Sequence, residues 1–382
     1  MAKISQRRQT KTAYLLLAPA LILLALFSVF PLFYTIVISL FHWRIRSGPF
    51  VGAEHYLELF GSYANLGGVV VLSLLIGLSL RWASSISSKN RFSSKKSGFI
   101  LWGLRVVSLL FGIGLFILLG KVWSQGDAHF LRSLEITFWF ALGTVPVQLV
   151  LGLSLALALQ AKFRGKSTLR TAILLPYILP LVASAAVFTL LFSLSPQSPA
   201  NQLLALFHAG PWQWLKQAQG IFASGHLPVY FSDWFSSWTA GPSLALICIL
   251  VFNTWLYSGY YALVFSNGLA AIPEEVFEAA ALEGVSKPQV LFRIVLPLLS
   301  PTTFFLTILG VVGTLKAFSS LYILRDASTA SAVDPASVMI FFTFFREVRY
   351  GYAAALAVVL FLVILTVTNT QRRLWEKRVF YE

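Results

Sequence analysis

Long apolar runs separated by short polar stretches set the pattern of this chain. A bilayer core takes about 17–25 apolar residues as a helix, and each run can be measured against that length. Eight candidates stand out, near 13–40, 66–80, 98–119, 134–160, 171–194, 243–268, 302–324 and 352–370. The second is short and rich in glycine and serine. The first follows Lys3, Arg7, Arg8 and Lys11, as a signal peptide would. Its apolar run continues through Pro31 and Tyr34 toward Trp43, far beyond the roughly 7–15 residues of a signal core, so it reads as an uncleaved span. The pattern predicts an all-α polytopic membrane helical bundle of about eight transmembrane helices.

Composition agrees. Of 382 residues, 57% are hydrophobic and 11% charged, against about 25% charged in soluble domains. A net charge of +15 would suggest nucleic acid in a soluble protein. Here it reads as basic residues at the cytoplasmic membrane surface, with no nucleic-acid partner. With the N-terminus inside, most of the 29 lysines and arginines fall on the inner side: the N-terminal tail, Arg81–Lys96, Lys162–Arg170, Lys287 with Arg293, and Arg372–Arg378. The outer side holds Arg44, Arg46, Lys121, Arg132, Lys216, Arg325, Arg346 and Arg349. Both termini are therefore expected in the cytoplasm. Losing spans two and three would move the basic loop 81–96 outside, so both are retained. The single cysteine, Cys248, allows no intrachain disulfide.

Catalytic motifs are missing. Gly120-Lys121 and Gly165-Lys166 lack the earlier glycine of a Walker A loop, and neither HExxH nor G-x-S-x-G occurs. Five histidines and one cysteine form no paired-cysteine metal spacing. The chain reads as a non-enzyme. If it moves a solute uphill, another chain must supply the nucleotide energy.

One stretch between two spans is built differently. Glu278 to Glu283 is a run of strong helix formers, with Pro273, Glu274 and Glu275 suited to its start. Gly284 suits a left-handed C-cap. Ser286 can cap a second helix with Pro288 in its first turn. That helix shows Val290, Leu291, Ile294 and Leu298 along one apolar side and ends near Pro297. The product is a rigid bent knuckle on the cytoplasmic side, or an ordinary amphipathic connector.

Glu278-Ala279-Ala280, three residues, Gly284, nine residues, Ile294, one residue and Leu296-Pro297 resemble the EAA loop of ABC-importer permeases without a gap. More of the chain is similar to the carbohydrate-importer branch, the maltose-type and glycerol-phosphate-type permeases. The matching pieces include Pro146-x-Gln148, Leu175-Pro176-Tyr177-Ile178-Leu179-Pro180, Asn201, Gly268-Leu269-x-Ala271-Ile272-Pro273 and Tyr350-Gly351-Tyr352-Ala353. The resemblance divides the chain. Residues 1–60 hold the tail, first span and outer loop, and 61–124 an inserted pair of spans around a basic loop. Residues 125–371 form the core, with the EAA loop at 278–297, and 372–382 a basic tail. A six-helix core plus two inserted helices results. Near Arg325-Asp326-Ala327-Ser328 the family often has Thr-Gly-Gly-Gly-Pro, so that outer turn is expected to be reshaped.

The resemblance implies the remaining machine. A second permease subunit would complete a heterodimeric pathway in a bacterial-type inner membrane. Two ATP-binding cassette subunits would bind ATP and Mg²⁺, leaving this chain without a cofactor. An extracytoplasmic solute-binding protein would deliver the solute, and membrane lipid would surround the spans. Glu278, Ala279, Ala280, Gly284, Ile294, Leu296 and Pro297 would couple ATPase closure to alternating access.

Polar groups inside spans are the candidates for the solute pathway, because burying them is costly. Asn253 lies ten residues from the outer end of its span and Lys316 eight from that of its own, so their depths differ by about 3 Å. Gln148 is deeper, and Tyr257, Thr314, Ser319 and Ser320 add hydroxyls. Interhelical hydrogen bonding is the alternative reading for the neutral groups. Lys316 can meet solute, snorkel outward or pair with Glu135; in the pathway it suits a polyol or a solute with an acidic group. Arg105, at the inner start of its span, reads as snorkelling. Trp212, Trp214, Trp234 and Trp238, in the long outer loop 195–242, read as interface anchors or as a docking surface. Besides a carbohydrate or polyol permease, two classes stay open: an ABC permease for another solute, and an ion-coupled secondary carrier. The carrier would need ionisable relays, which are scarce here.

Overall fold

A computed structural model describes residues 2–89, 95–161, 164–222 and 233–375. The side chains of the N-terminal basic residues, of Lys89, Arg91, Lys95, Lys96, Arg105 and Lys162, and of the tail beyond Trp375 lie outside the described set. Among the described residues the two β-bridges, Phe41–Phe50 and Gly220–Ser243, are isolated, and the regular elements are helices.

In chain order, α1 (Ala2–Leu24) and α2 (Phe30–Ile38) join through a π-helical turn at Ala25–Val29. Next come α3 (Glu54–Phe60), α4 (Tyr63–Lys89), α5 (Lys95–Gln125) and α6 (Ala128–Gln160). They are followed by α7 (Lys166–Ile178), α8 (Leu181–Leu191), α9 (Pro199–Ala205), α10 (Asp233–Ala240) and α11 (Leu244–Ala270). The knuckle consists of α12 (Glu274–Leu282), α13 (Lys287–Val290), a second π-helical turn at Leu291–Val295 and α14 (Leu296–Leu298). The chain closes with α15 (Ser300–Leu315), α16 (Ser319–Leu324), α17 (Ala330–Val333), α18 (Ala336–Phe345) and α19 (Tyr350–Trp375). Five helical stretches are long and apolar enough to cross a membrane unbroken, and three bent pairs pass the same test together. Counting each pair as one span gives eight. The chain is an all-α polytopic membrane bundle.

Three expected spans differ in detail. The second is longer than its 66–80 core, since α4 runs over 27 residues. The fifth is broken: α7 and α8 meet at 98°. Leu179 precedes Pro180, whose ring disfavours the helical conformation there, and Leu179 is extended at φ −66°, ψ 147°. The seventh does not run through 324. It stops at Leu315, and α16 is a separate short helix. The Ala317 carbonyl in that break accepts a hydrogen bond from Ser337 Oγ.

The residues form two compact bodies. One comprises 1–59 with 340–362. Within it the Gly351 N–H donates to the Trp43 carbonyl at 2.9 Å, and Arg349 pairs with Glu58 at 2.5 Å. The Arg349 guanidinium also lies 4.3 Å from the Tyr352 ring centroid.

The other body holds the candidate site. Its central pair is α6 against α11, with α7 and α15 packed on them. Without a hydrophobic driving force inside the membrane, such contacts rely on close backbone approach at small residues. Gly259 of α11 does this: a side chain there would run into the Ile173 carbonyl of α7. An aromatic cluster ties α5, α6 and α10 together. Trp234 packs on Trp123 and Phe116 at 5.1 and 5.6 Å, and Trp238 on Phe138 and Trp139 at 5.2 and 6.0 Å. Trp234 is 4% exposed, so it is neither a free interface anchor nor a docking surface. Trp214 is also engaged, donating its Nε1–H to Asn201 at 2.7 Å. The turn after α16 is closed by a two-bond Arg325–Asp334 pair at 2.7 and 2.9 Å. Beside it the Ser328 hydroxyl and N–H donate to Asp326 and, with Lys216, hold its carboxyl below the usual carboxylate range.

Candidate functional site

The knuckle forms as its residue types require. α12 starts with Glu274 and Glu275 at the positive end of its dipole. It ends in a Schellman motif: the Gly284 N–H bonds the Ala281 carbonyl at 3.1 Å and the Val285 N–H the Ala280 carbonyl at 3.0 Å. Gly284 sits at φ +69°, the left-handed region that glycine enters at least cost. Gln289 Oε1 accepts from the Ser286 N–H at 3.1 Å and from its hydroxyl at 2.9 Å, tying the start of α13.

Beyond α13 the expected apolar face is replaced. Val295 and Leu299 are 4% and 1% exposed, where the sequence placed Ile294 and Leu298 on the apolar side of the helix. The π-helical turn at Leu291–Val295 takes one extra residue, which rotates everything after it by about 100°. Pro297 explains the turn: it lacks an N–H and its ring would strike the carbonyl four residues back. The π turn at Ala25–Val29 likewise precedes Pro31 by two residues.

Val290, Leu291, Val295 and Leu299 pack into one cluster with Tyr261, Phe265 and Leu269 of α11, joined by Phe277 of α12. The other face is bare. Glu278, Ala279 and Ala281 are exposed, and Leu282 and Phe292 are 90% and 67% exposed. Ala280 instead is buried, and Leu296 and Pro297 are half-buried.

A cavity of about 540 Å³ lies between α6, α7, α11, α15 and the α15–α16 break. All six pathway candidates, Gln148, Asn253, Tyr257, Lys316, Ser319 and Ser320, line it, as does Thr314. Gln148 donates to the Asn253 carbonyl and side-chain oxygen at 3.1 and 3.2 Å, and Asn253 Nδ2 donates to Ser320 Oγ at 3.3 Å. This buried chain links α6, α11 and α16. It shows that interhelical bonding and lining the cavity are not exclusive.

Lys316 is not inside a continuous helix. It is the C-cap of α15, exposed toward the cavity. Pairing with Glu135 does not occur, because Glu135 is held by Arg132 at 2.7 Å and by Ser237 of α10. The cavity also has a wall the sequence reading missed. Tyr177 lies 5.9 and 5.3 Å from Tyr257 and Tyr260, and Tyr261 donates to the Leu306 carbonyl at 3.4 Å. The signal was present: 257, 260 and 261 are spaced to share one helix face.

A bent knuckle thus packs through α11 against a polar, aromatic cavity in a multi-span bundle. The family model for the binding-protein-dependent transport system inner membrane component covers residues 148–381. The chain belongs to this family. It is a multi-pass inner-membrane permease of a binding-protein-dependent ABC importer, a non-catalytic transport subunit without a cofactor, whose ATPase is a separate chain. The family removes the ion-coupled carrier from consideration. A probable ABC transporter permease protein of Pyrococcus horikoshii is 25% identical to this permease, over 92% of this chain and 94% of that one. The trehalose/maltose transport system permease protein MalF of Thermococcus litoralis is 25% identical, over 75% and 95%. The sn-glycerol-3-phosphate transport system permease protein UgpA of Agrobacterium fabrum is 27% identical, over 67% and 78%. A crystal structure of a bacterial ABC transporter involved in the import of the acidic polysaccharide alginate shares the fold, with a TM-score of 0.60 at 18% identity, covering 99% of both chains.

Proposed function

We propose that this permease forms the pathway for a carbohydrate or related polyol, together with a second permease subunit. The observation that carries the reading is the cavity: hydroxyl and amide groups beside tyrosine rings suit sugar hydroxyls and sugar faces. Relatives named for trehalose and maltose, sn-glycerol-3-phosphate and arabinooligosaccharides support it. Of two ATP-binding cassette subunits, one docks on the 278–297 loop of this chain and the other on the second permease. Its exposed Leu282 and Phe292 support this, because large apolar side chains of a membrane-flanking loop gain by being covered. The extracytoplasmic binding protein delivers solute to the opposite end. ATPase closure moves the knuckle, and the apolar cluster it shares with Tyr261 carries that displacement to the cavity wall.

The test is a solute screen on the reconstituted complex with its binding protein, scored by stimulated ATP hydrolysis and uptake. Sugars or polyols should stimulate both, and Glu278→Lys should lower both several-fold while the protein still inserts in the membrane. Stimulation by an amino acid or peptide, and by no sugar or polyol, would overturn the carbohydrate reading. Normal coupling by Glu278→Lys would overturn the role of the loop.

A further inference from the structure

We infer that the solute carries an anionic group, a carboxylate or a phosphate ester, and that Lys316 receives it; this deepens the carbohydrate reading and rests on it. Among the described residues Lys316 is the only one lining the cavity with a formal charge, and no described aspartate or glutamate lines it. Lys316 takes part in none of the ion pairs Arg132–Glu135, Lys216–Asp326, Arg325–Asp334 and Arg349–Glu58, and its ammonium has no carboxylate partner among the described residues. Glu135, the acid within the neighbouring span, is already neutralised by Arg132.

The α15 C-terminus offsets part of the charge. Lys316 caps that helix, where its dipole places about half a negative charge. A full positive charge against that half leaves the cavity with a net positive potential. Neutral sugar hydroxyls do not need this, since serine, asparagine and glutamine bind them without an ion in a membrane-spanning region, and such groups already line the cavity. What the ammonium adds is a charge-assisted bond to an acid. The tyrosine wall and the Gln148–Asn253–Ser320 chain are then left for the ring and its hydroxyls.

The experiment uses the complete complex with its binding protein in proteoliposomes. Probes are uronate oligosaccharides and sn-glycerol 3-phosphate, each beside its neutral counterpart, the matching neutral oligosaccharide or glycerol. One anionic class should stimulate ATP hydrolysis and uptake where its counterpart does not; which one responds separates carboxylate from phosphate. Lys316→Gln should reduce uptake of the acid by about tenfold or more, the usual worth of a hydrogen bond to a charged group. Lys316→Arg should keep most of it. If only neutral sugars or polyols stimulate the wild-type complex, or if Lys316→Gln moves the acid at the wild-type rate, the inference is overturned and the carbohydrate pathway stands. If no sugar or polyol of either kind stimulates, the carbohydrate pathway falls with it. Should Lys316→Gln fail to assemble, the acid-against-neutral comparison on the wild type decides.

Discussion

At the scale of single residues, Gly284 shows how backbone conformation and packing separate. A side chain there would meet nothing within 4 Å, so space imposes no constraint, but φ is +69°. Gly284→Ala should therefore cost only about 1 kcal/mol, through left-handed strain alone. Gly284→Pro should do far more, because proline fixes φ near −65° and removes the N–H that bonds Ala281. Solute-stimulated ATP hydrolysis is expected to be near normal for the alanine variant and strongly reduced for the proline variant, with equal amounts of each inserted in the membrane. This position was legible in the sequence, because a glycine after a run of strong helix formers has few other uses. Lys316 was legible only as a charge. Its neighbours, its place at a helix end and the loss of Glu135 to Arg132 depend on segments far apart in the chain.

At the scale of elements, proline explains most departures from regular helices. Two π-helical turns each end two residues before a proline, and α7 ends where a proline follows. The knuckle is where this matters, since the wide turn at Leu291–Val295 decides which residues pack against α11. A maleimide test reads the register directly, with a low background because Cys248 is buried. A cysteine at 294 should label at least several times faster than one at 295, since Val295 is 4% exposed and Ile294 is partly exposed. The reverse order would mean an unbroken α-helical register. Helix periodicity alone led to the wrong face here because it assumes 3.6 residues per turn throughout. The proline that breaks the assumption stood in plain view at 297.

At the scale of the whole molecule, close packing at small residues joins spans that periodicity treats as independent. Gly259→Val should push α7 off α11, because its side chain would meet the Ile173 backbone. Overpacking of this kind costs about 1–3 kcal/mol, and the expected outcome is a lower yield of folded permease in detergent, measured by size-exclusion chromatography. An unchanged yield and thermal stability would show that the approach is not tight. The number of spans, the basic bias of one side, the knuckle and the polar residues worth examining were all set by the sequence, because each rests on local spacing or on composition. Apolar length, lysine and arginine placement and a glycine cap need no partner to be recognised. The meeting of Gln148, Asn253, Tyr257, Lys316, Ser319 and Ser320 around one cavity was decided only in three dimensions. So were the tyrosine wall and the packing of the knuckle against Tyr261. Each depends on how helices from distant parts of the chain break, bend and approach one another, and those contacts leave no periodic trace along the sequence.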